Sequence, residues 1–281
     1  MVKALRPTIR SVWLGQELRA LREEAGYSLR GIGADIGVNQ SIVSKLEAGK
    51  TPPSARFVDD YIRVCGVHDR RRIADLHTIC RDVNQKGWWD GYDMDVAPGL
   101  MDRIWVESKA QQIEAFEPNV VPGLLQTPKY ASALMRIGQP HIDDPEIERW
   151  CEVRMTRQHI VLRQEPISFR CLLDAQLFAR EVGDVSVRRG QLDHLIEVGQ
   201  RPHIDIRVIP AETCTGVNGP FEVFELADPY PKVGYVATPV GDICVEGKAV
   251  DDLARTYDRL LKASLSTEAS RELIIAERNK L

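Results

Sequence analysis

The sequence predicts an all-α N-terminal helix-turn-helix domain of about five short helices, followed by an α+β domain with an antiparallel sheet. Three observations carry this. The first eighty residues hold short apolar stripes at helical spacing, joined by very short turns. The second part mixes longer helical patterns with short alternating stretches at hairpin-like intervals. The charge also changes sign: residues 1–86 carry 15 Lys and Arg against 10 Asp and Glu, the remainder 22 against 31. At 281 residues the chain has room for two cores. We place the boundaries at 1–84 for the helical domain, 85–100 for a linker and 101–281 for the α+β domain.

Taken in order, LGQELRALREEAG sets Leu14, Leu18 and Leu21 one turn apart, with Gly26 as the stop. YSLRGIGADIG follows, with Ser28 as N-cap and Leu29, Ile32 and Ile36 on one face. Gly37 turns the chain and Asn39 caps a helix over QSIVSKLE. After Pro52 and Pro53, SARFVDDYIRVCG is a helix with Phe57, Tyr61 and Val64 inward, and IADLHTICRDV is a further one. Two helices separated only by GVN form the helix-turn-helix pattern, in which the second helix is free to enter a groove.

The polar face of that second helix needs a reason. At 100° per residue from Gln40, Val43 and Leu46 fall near about 300° and 240°, toward the core. Gln40, Ser44, Ser41 and Lys45 spread from about 0° to 140°, and Ile42 lies at the rim near about 200°. Gln can bond adenine bidentately, Lys donates to guanine, Ser suits either, and an aliphatic side chain can meet a thymine methyl. The competing explanation is a solvated face on a small helical bundle.

LRALREEAGYSLRGIGADIGVNQSIVSKLEAGKTPPSARFVDDYIRVCGV resembles the DNA-binding domain of the Xre/Cro family of repressors. The resemblance implies that Asn39, Gln40, Ser41, Ser44 and Lys45 face the major groove of an operator, with Lys50, Arg56 and Ser28 on phosphates. Phosphate contacts would position the domain and base contacts would specify the sequence. The chain departs from the family at Leu29, where a DNA-gripping Gln is usual. Gly33 fits a close helix crossing, Gly31 has no evident role, and Glu47 suits a structural salt bridge better than a phosphate.

NQKGWWDGYDMDVAPG is rich in Gly and Pro and reads as the linker. Trp88, Trp89 and Tyr92 are too aromatic for a plain tether. They either pin it to the second domain or line a ligand or dimer contact. Beyond it, MDRIWVESKAQQIEAF reads as a helix, VVPGLLQTPKYASALMRIG as a Pro-Gly turn and a helix from about Thr127, and DDPEIERWCEVRMTRQHIVLR as one long Asp-capped helix. ISFRCLLD is strand-like and DVSVRRGQLDHLIEVGQ helical. IDIRVIP, PFEVFELA, KVGYVATP and GDICVEG are four strands, and two helices broken near Ser266 close the chain.

FEPNVVPGLLQTPKYASALMR, EVRMTRQHIVLR, RPHIDIRVIP, GPFEVFELADP and VGYVATPVGDICVEG, in that order, resemble the C-terminal domain of WhiJ-like actinobacterial regulators. That resemblance implies an antitoxin-like transcriptional regulator that meets a small companion protein. It supplies no catalytic or ligand residues. From the residues themselves, Leu124 and Leu125 after the Pro-Gly turn form either a buried structural turn or the edge of a docking groove. Arg154, Arg157 and Gln158 on the long helix are candidate partner contacts.

No nucleophile elbow, zinc-protease helix, P-loop or dinucleotide glycine run occurs, so no catalytic residues are expected. The six cysteines form no CxxC pair, and His77 with Cys80 has no second pair at finger spacing, so neither metal nor cofactor is expected. No stretch approaches the roughly 20 apolar residues of a membrane helix. MVKALRPTIRSVW has no apolar core, so no signal peptide and a cytoplasmic place are expected. The expected function is a homodimeric DNA-binding regulator. The alternatives are a repressor that senses a small molecule and an adaptor that does not touch DNA.

Overall fold

The computed structural model describes residues 7–89, 98–164, 166–217, 219–238 and 241–281. The chain divides into two compact units, 1–88 and 89–281, and the division falls inside the segment read as a linker. Tyr92 and the rest of 90–97 lie outside the described residues.

The first unit has five helices among its described residues: α1 (Ile9–Glu24), α2 (Leu29–Ile36), α3 (Gln40–Glu47), α4 (Ala55–Val64) and α5 (Arg70–Asn84). Each begins at a side-chain cap: Thr8, Ser28, Asn39, Ser54 and Asp69. Because Thr8 is the first cap, α1 starts five residues before the expected Leu14 and adds Trp13 to the core. Gly37, at φ +81°, closes α2 in the left-handed conformation, and Val38 N–H then bonds Gly33 O at 2.8 Å. On α4 the buried stripe is Val58, Tyr61 and Ile62; Phe57 and Val64, expected inward, are only partly covered. The core joins Leu14, Leu18, Leu21, Ile32, Val43, Leu46, Val58, Tyr61 and Leu76.

The second unit opens with α6 (Pro98–Lys109) and β1 (Ala110–Glu117). There follow α7 (Pro128–Gly138), α8 (Asp144–Arg157), the single turn α9 (His159–Leu162), β2 (Ser168–Asp174), α10 (Val185–Val198) and β3 (Ile204–Ile209). It closes with β4 (Phe221–Leu226), β5 (Val233–Thr238), β6 (Gly241–Val245), α11 (Lys248–Ala263) and α12 (Thr267–Lys280). Thr127, Asp143, Asp184 and Ser266 cap α7, α8, α10 and α12.

Two expectations are corrected. MDRIWVESKAQQIEAF is not one helix: it ends at Lys109, and the chain continues as the central strand β1. The long helix over 144–163 is interrupted at Gln158 between α8 and α9. The six-stranded sheet, in the order β3-β2-β1-β4-β5-β6, is mixed. Its β1–β4, β4–β5 and β5–β6 pairs are antiparallel as expected, but β1–β2 and β2–β3 are parallel. Parallel neighbours need crossovers, which α7–α9 and α10 provide.

One face of the sheet buries Phe116, Leu172, Ile209, Phe221 and Val223 against Val250, Tyr257 and Leu260 of α11. Glu222 alternates with Phe221 and Val223 and so points to the opposite face, where Arg103 of α6 bonds it. The border strand β3 is covered: Leu265 N–H donates to Val208 O at 2.9 Å, and Val208 N–H donates to Ser270 Oγ of α12 at 2.9 Å. The other border, β6, is mostly exposed, with Ile243 outward.

Candidate nucleic-acid interface

The helical phase of α3 is as the spacing requires. Val43 and Leu46 are buried, whereas Gln40, Ser41, Ser44 and Lys45 are exposed and Ile42 is 44% exposed beside them. Asn39 is exposed but half engaged, since its Oδ1 accepts from Ser41 N–H at 2.8 Å; its amide NH2 remains for a base edge. Ser28 is likewise exposed while its Oγ accepts from Gly31 N–H at 3.0 Å. Lys50 and Arg56 are exposed, and among the described residues neither meets an acid. Arg30, in the first turn of α2 next to Ser28, has the same character and was not singled out from the sequence. A free cation beside a helix start is the signal that could have found it.

The helix is held rigidly from behind. Arg22 of α1 donates to both oxygens of Glu47, at 2.7 and 2.9 Å, and Tyr61 of α4 donates to the same carboxylate at 2.5 Å. The bond to Glu47 raises the Arg22 pKa above its ordinary value, and burial raises that of Tyr61. Arg22 also donates to Tyr27 O at 2.9 Å, which fixes the turn before α2. Glu47 is thus the structural partner expected of it. Close approach of α1 to α3 is set by two glycines. A Cβ on Gly15 would lie 2.4 Å from Glu47 O, and one on Gly49 would lie 2.9 Å from the Ser11 backbone. Ser11 Oγ adds a bond to Gly49 O at 2.8 Å. Gly31, unexplained by sequence, lies where a Cβ would come within 3.3 Å of the Ser28 cap oxygen. His77 and Cys80 do not converge: His77 Nε2 lies 3.2 Å from Asp59, and Cys80 Sγ faces Pro53 O.

In the second unit the Pro-Gly turn is sewn into the interior. Leu124 and Leu125 are 3% and 1% exposed. Gln126 donates to Val121 O at 2.7 Å, Gln191 to Leu125 O at 2.7 Å, and Gln158 to Gly123 O at 2.9 Å and Gln126 O at 2.7 Å. Arg157 donates to both oxygens of Glu107, at 2.9 and 2.5 Å, and both residues are buried.

Residues 100–276 match the family described as domain of unknown function DUF5753. The chain belongs to the DUF5753 family. Residues 13–76 match a helix-turn-helix domain, a span that contains all of α2, α3 and α4. No curated protein and no solved structure matches the chain.

Within the DUF5753 unit, Leu124 and Leu125 take the buried-turn alternative rather than the groove edge. Two candidate partner contacts are corrected to interior positions: Arg157 is consumed by Glu107, and Gln158 serves two carbonyls. This face of α8 packs on α6 and on the turn. Arg154 is half-buried and bonds Gln126 Oε1 at 2.7 Å. Of the linker tryptophans, Trp88 is exposed and Trp89 buried. Among the described residues no helix is long and apolar enough to cross a membrane.

Proposed function

We propose that this chain is a sequence-specific DNA-binding transcriptional regulator that reads its operator through α3. The observation that carries the reading is a short helix with every readable side chain outward and its carboxylate, Glu47, turned inward to Arg22 and Tyr61. No acid on α3 is left to repel phosphate. Gln40, Ser41, Ser44 and Lys45 would contact base edges, and Lys50, Arg56, Arg30 and Ser28 the phosphates. One eight-residue helix reaches few base pairs. Two copies on half-sites one helical turn apart would supply the missing affinity, which favours a homodimer. No catalytic role is assigned to either unit.

The DUF5753 unit would receive the signal. A small companion protein is expected from the family resemblance alone. A repressor that senses a small molecule remains the alternative reading.

The test is binding of the full chain to its own promoter fragment against random DNA of equal length. Preference for the promoter, eroded in Gln40→Ala and Lys45→Ala, is expected. Equal affinity for both fragments would refute the reading.

A further inference from the structure

The border strand β6 lacks the usual defences of a sheet edge. Natural borders carry Lys or Pro, or lie under another element. β6 reads GDICV, and among the described residues the sheet ends with it. Its one charged residue, Asp242, is held on the α6 face by Arg103 at 2.8 Å. Ile243 is 53% exposed, and Cys244 is exposed beside it.

One bond fixes which backbone groups of β6 point outward. Ala237 N–H of β5 donates to Pro220 O at 3.3 Å, on the β4 side. Alternation then turns the backbone groups of Val236 and Thr238 toward β6. Val236 and Thr238 stand opposite Ile243 and Gly241, whose groups therefore turn back to β5. Asp242 and Cys244 direct their N–H and C=O away from the sheet. The side chain of Ile243 shares the α11 face with Val236 and Val245, and both valines pack on the core cluster there. The border thus offers two donors, two acceptors and one exposed aliphatic side chain between them.

We propose that β6 is a dimer surface: it pairs antiparallel with β6 of a second copy, about a two-fold axis passing between the two Ile243 residues. Asp242 of each copy then exchanges both backbone bonds with Cys244 of the other. Ile243 meets its twin at a position without backbone bonds, about 4.5 Å apart at Cα. Charge selects this register. A slide of two residues one way sets the two Asp242 side chains opposite each other, and the other way sets Asp242 opposite Glu246. Like charges directly opposite are unfavourable. A slide of one residue turns outward groups onto inward ones. Self-pairing also continues the apolar layer, since Val236 and Ile243 are followed across the joint by the same two residues in reverse order. One pattern serves both sides, as a two-fold contact requires.

This gives a surface to the homodimer that the DNA-binding reading calls for, and only its meaning for operator binding rests on that reading. The assay uses no DNA, so failure of promoter binding would leave it unaffected. Self-association of the full chain is measured by sedimentation equilibrium up to about 100 µM. A monomer–dimer equilibrium is expected. Ile243→Lys sets two like charges at the axis and should raise the dimer dissociation constant about tenfold or more, with circular dichroism showing the variant folded. In a Cys244→Ser background, Ile243→Cys should close a disulfide between copies under mild oxidation, mapped by peptide mass, because opposed positions lie within reach of such a bond. Native Cys244 should not bridge to its twin, since diagonal neighbours stand about 7–8 Å apart. The proposal is overturned if the chain stays monomeric, which would leave β6 to a strand of another protein. It is equally overturned if Ile243→Lys associates as tightly as its parent, or if Ile243→Cys forms no bridge within the dimer.

Discussion

The guanidinium of Arg22 and the carboxylate of Glu47 meet in a two-pronged pair, at 2.7 and 2.9 Å, with both side chains at most 10% exposed. This pair fastens the C-terminal end of α3 to α1, and Tyr61 adds α4 to the same anchor.

Removing one member strands the other in the interior. Glu47→Ala should therefore destabilise the first unit by about 3 kcal/mol. Urea unfolding followed by circular dichroism measures it, and a loss below about 1 kcal/mol would show the pair to be dispensable.

Gly15 and Gly190 are both helical glycines, yet alanine should act oppositely at the two. At Gly15 the new methyl would collide with the backbone of Glu47. A cost of about 1–3 kcal/mol is expected, together with weakened promoter binding as α3 is displaced. At Gly190 nothing lies within 4 Å. Alanine there should stabilise by about 0.5–1 kcal/mol, read as a raised melting temperature.

Among the described residues neither Lys50 nor Lys45 meets an acid, but the two belong to different tasks. Lys50→Ala should weaken promoter and random DNA alike and reduce the slope of log affinity against log salt by about 0.9. Lys45→Ala should cost about 1–3 kcal/mol on the promoter and relax preference at one position of the site. Binding curves at several salt concentrations separate the two outcomes.

Glu117 makes the stability of the second unit depend on pH in an unusual direction. Its carboxyl titrates near 4.5 in the unfolded chain and at about 8 in the folded one. Between those values the folded state holds the extra proton, so this residue's contribution declines as pH rises through the window. Glu117→Gln should lose that component and show a shallower fall in melting temperature between pH 5 and about 8.

What could be read in advance follows a physical line. Caps are local, so Ser28, Asn39, Thr127, Asp143 and Ser266 were visible as helix starts from their own residue type and neighbours. The phase of α3 was visible because it lies at the surface, where Val43 and Leu46 contrast with polar neighbours. β1 was hidden for the converse reason. As a central strand with Ile113, Ala115 and Phe116 all buried, it lacks two-fold alternation, and its Gln, Glu and Ala residues favour helix until sheet pairing overrides them. Arg157 and Gln158 read as candidate partner contacts because their own partners, Glu107 and the carbonyls of Gly123 and Gln126, stand 50, 35 and 32 residues away.

The fastening of α12 onto β3 bears on how copies of this chain can associate. With Leu265 and Ser270 occupying Val208, backbone groups there are closed to a stranger's strand, whereas β6 is open. Were two copies to join β6 to β6, the borders left outermost would both be β3, where Val208 is already taken.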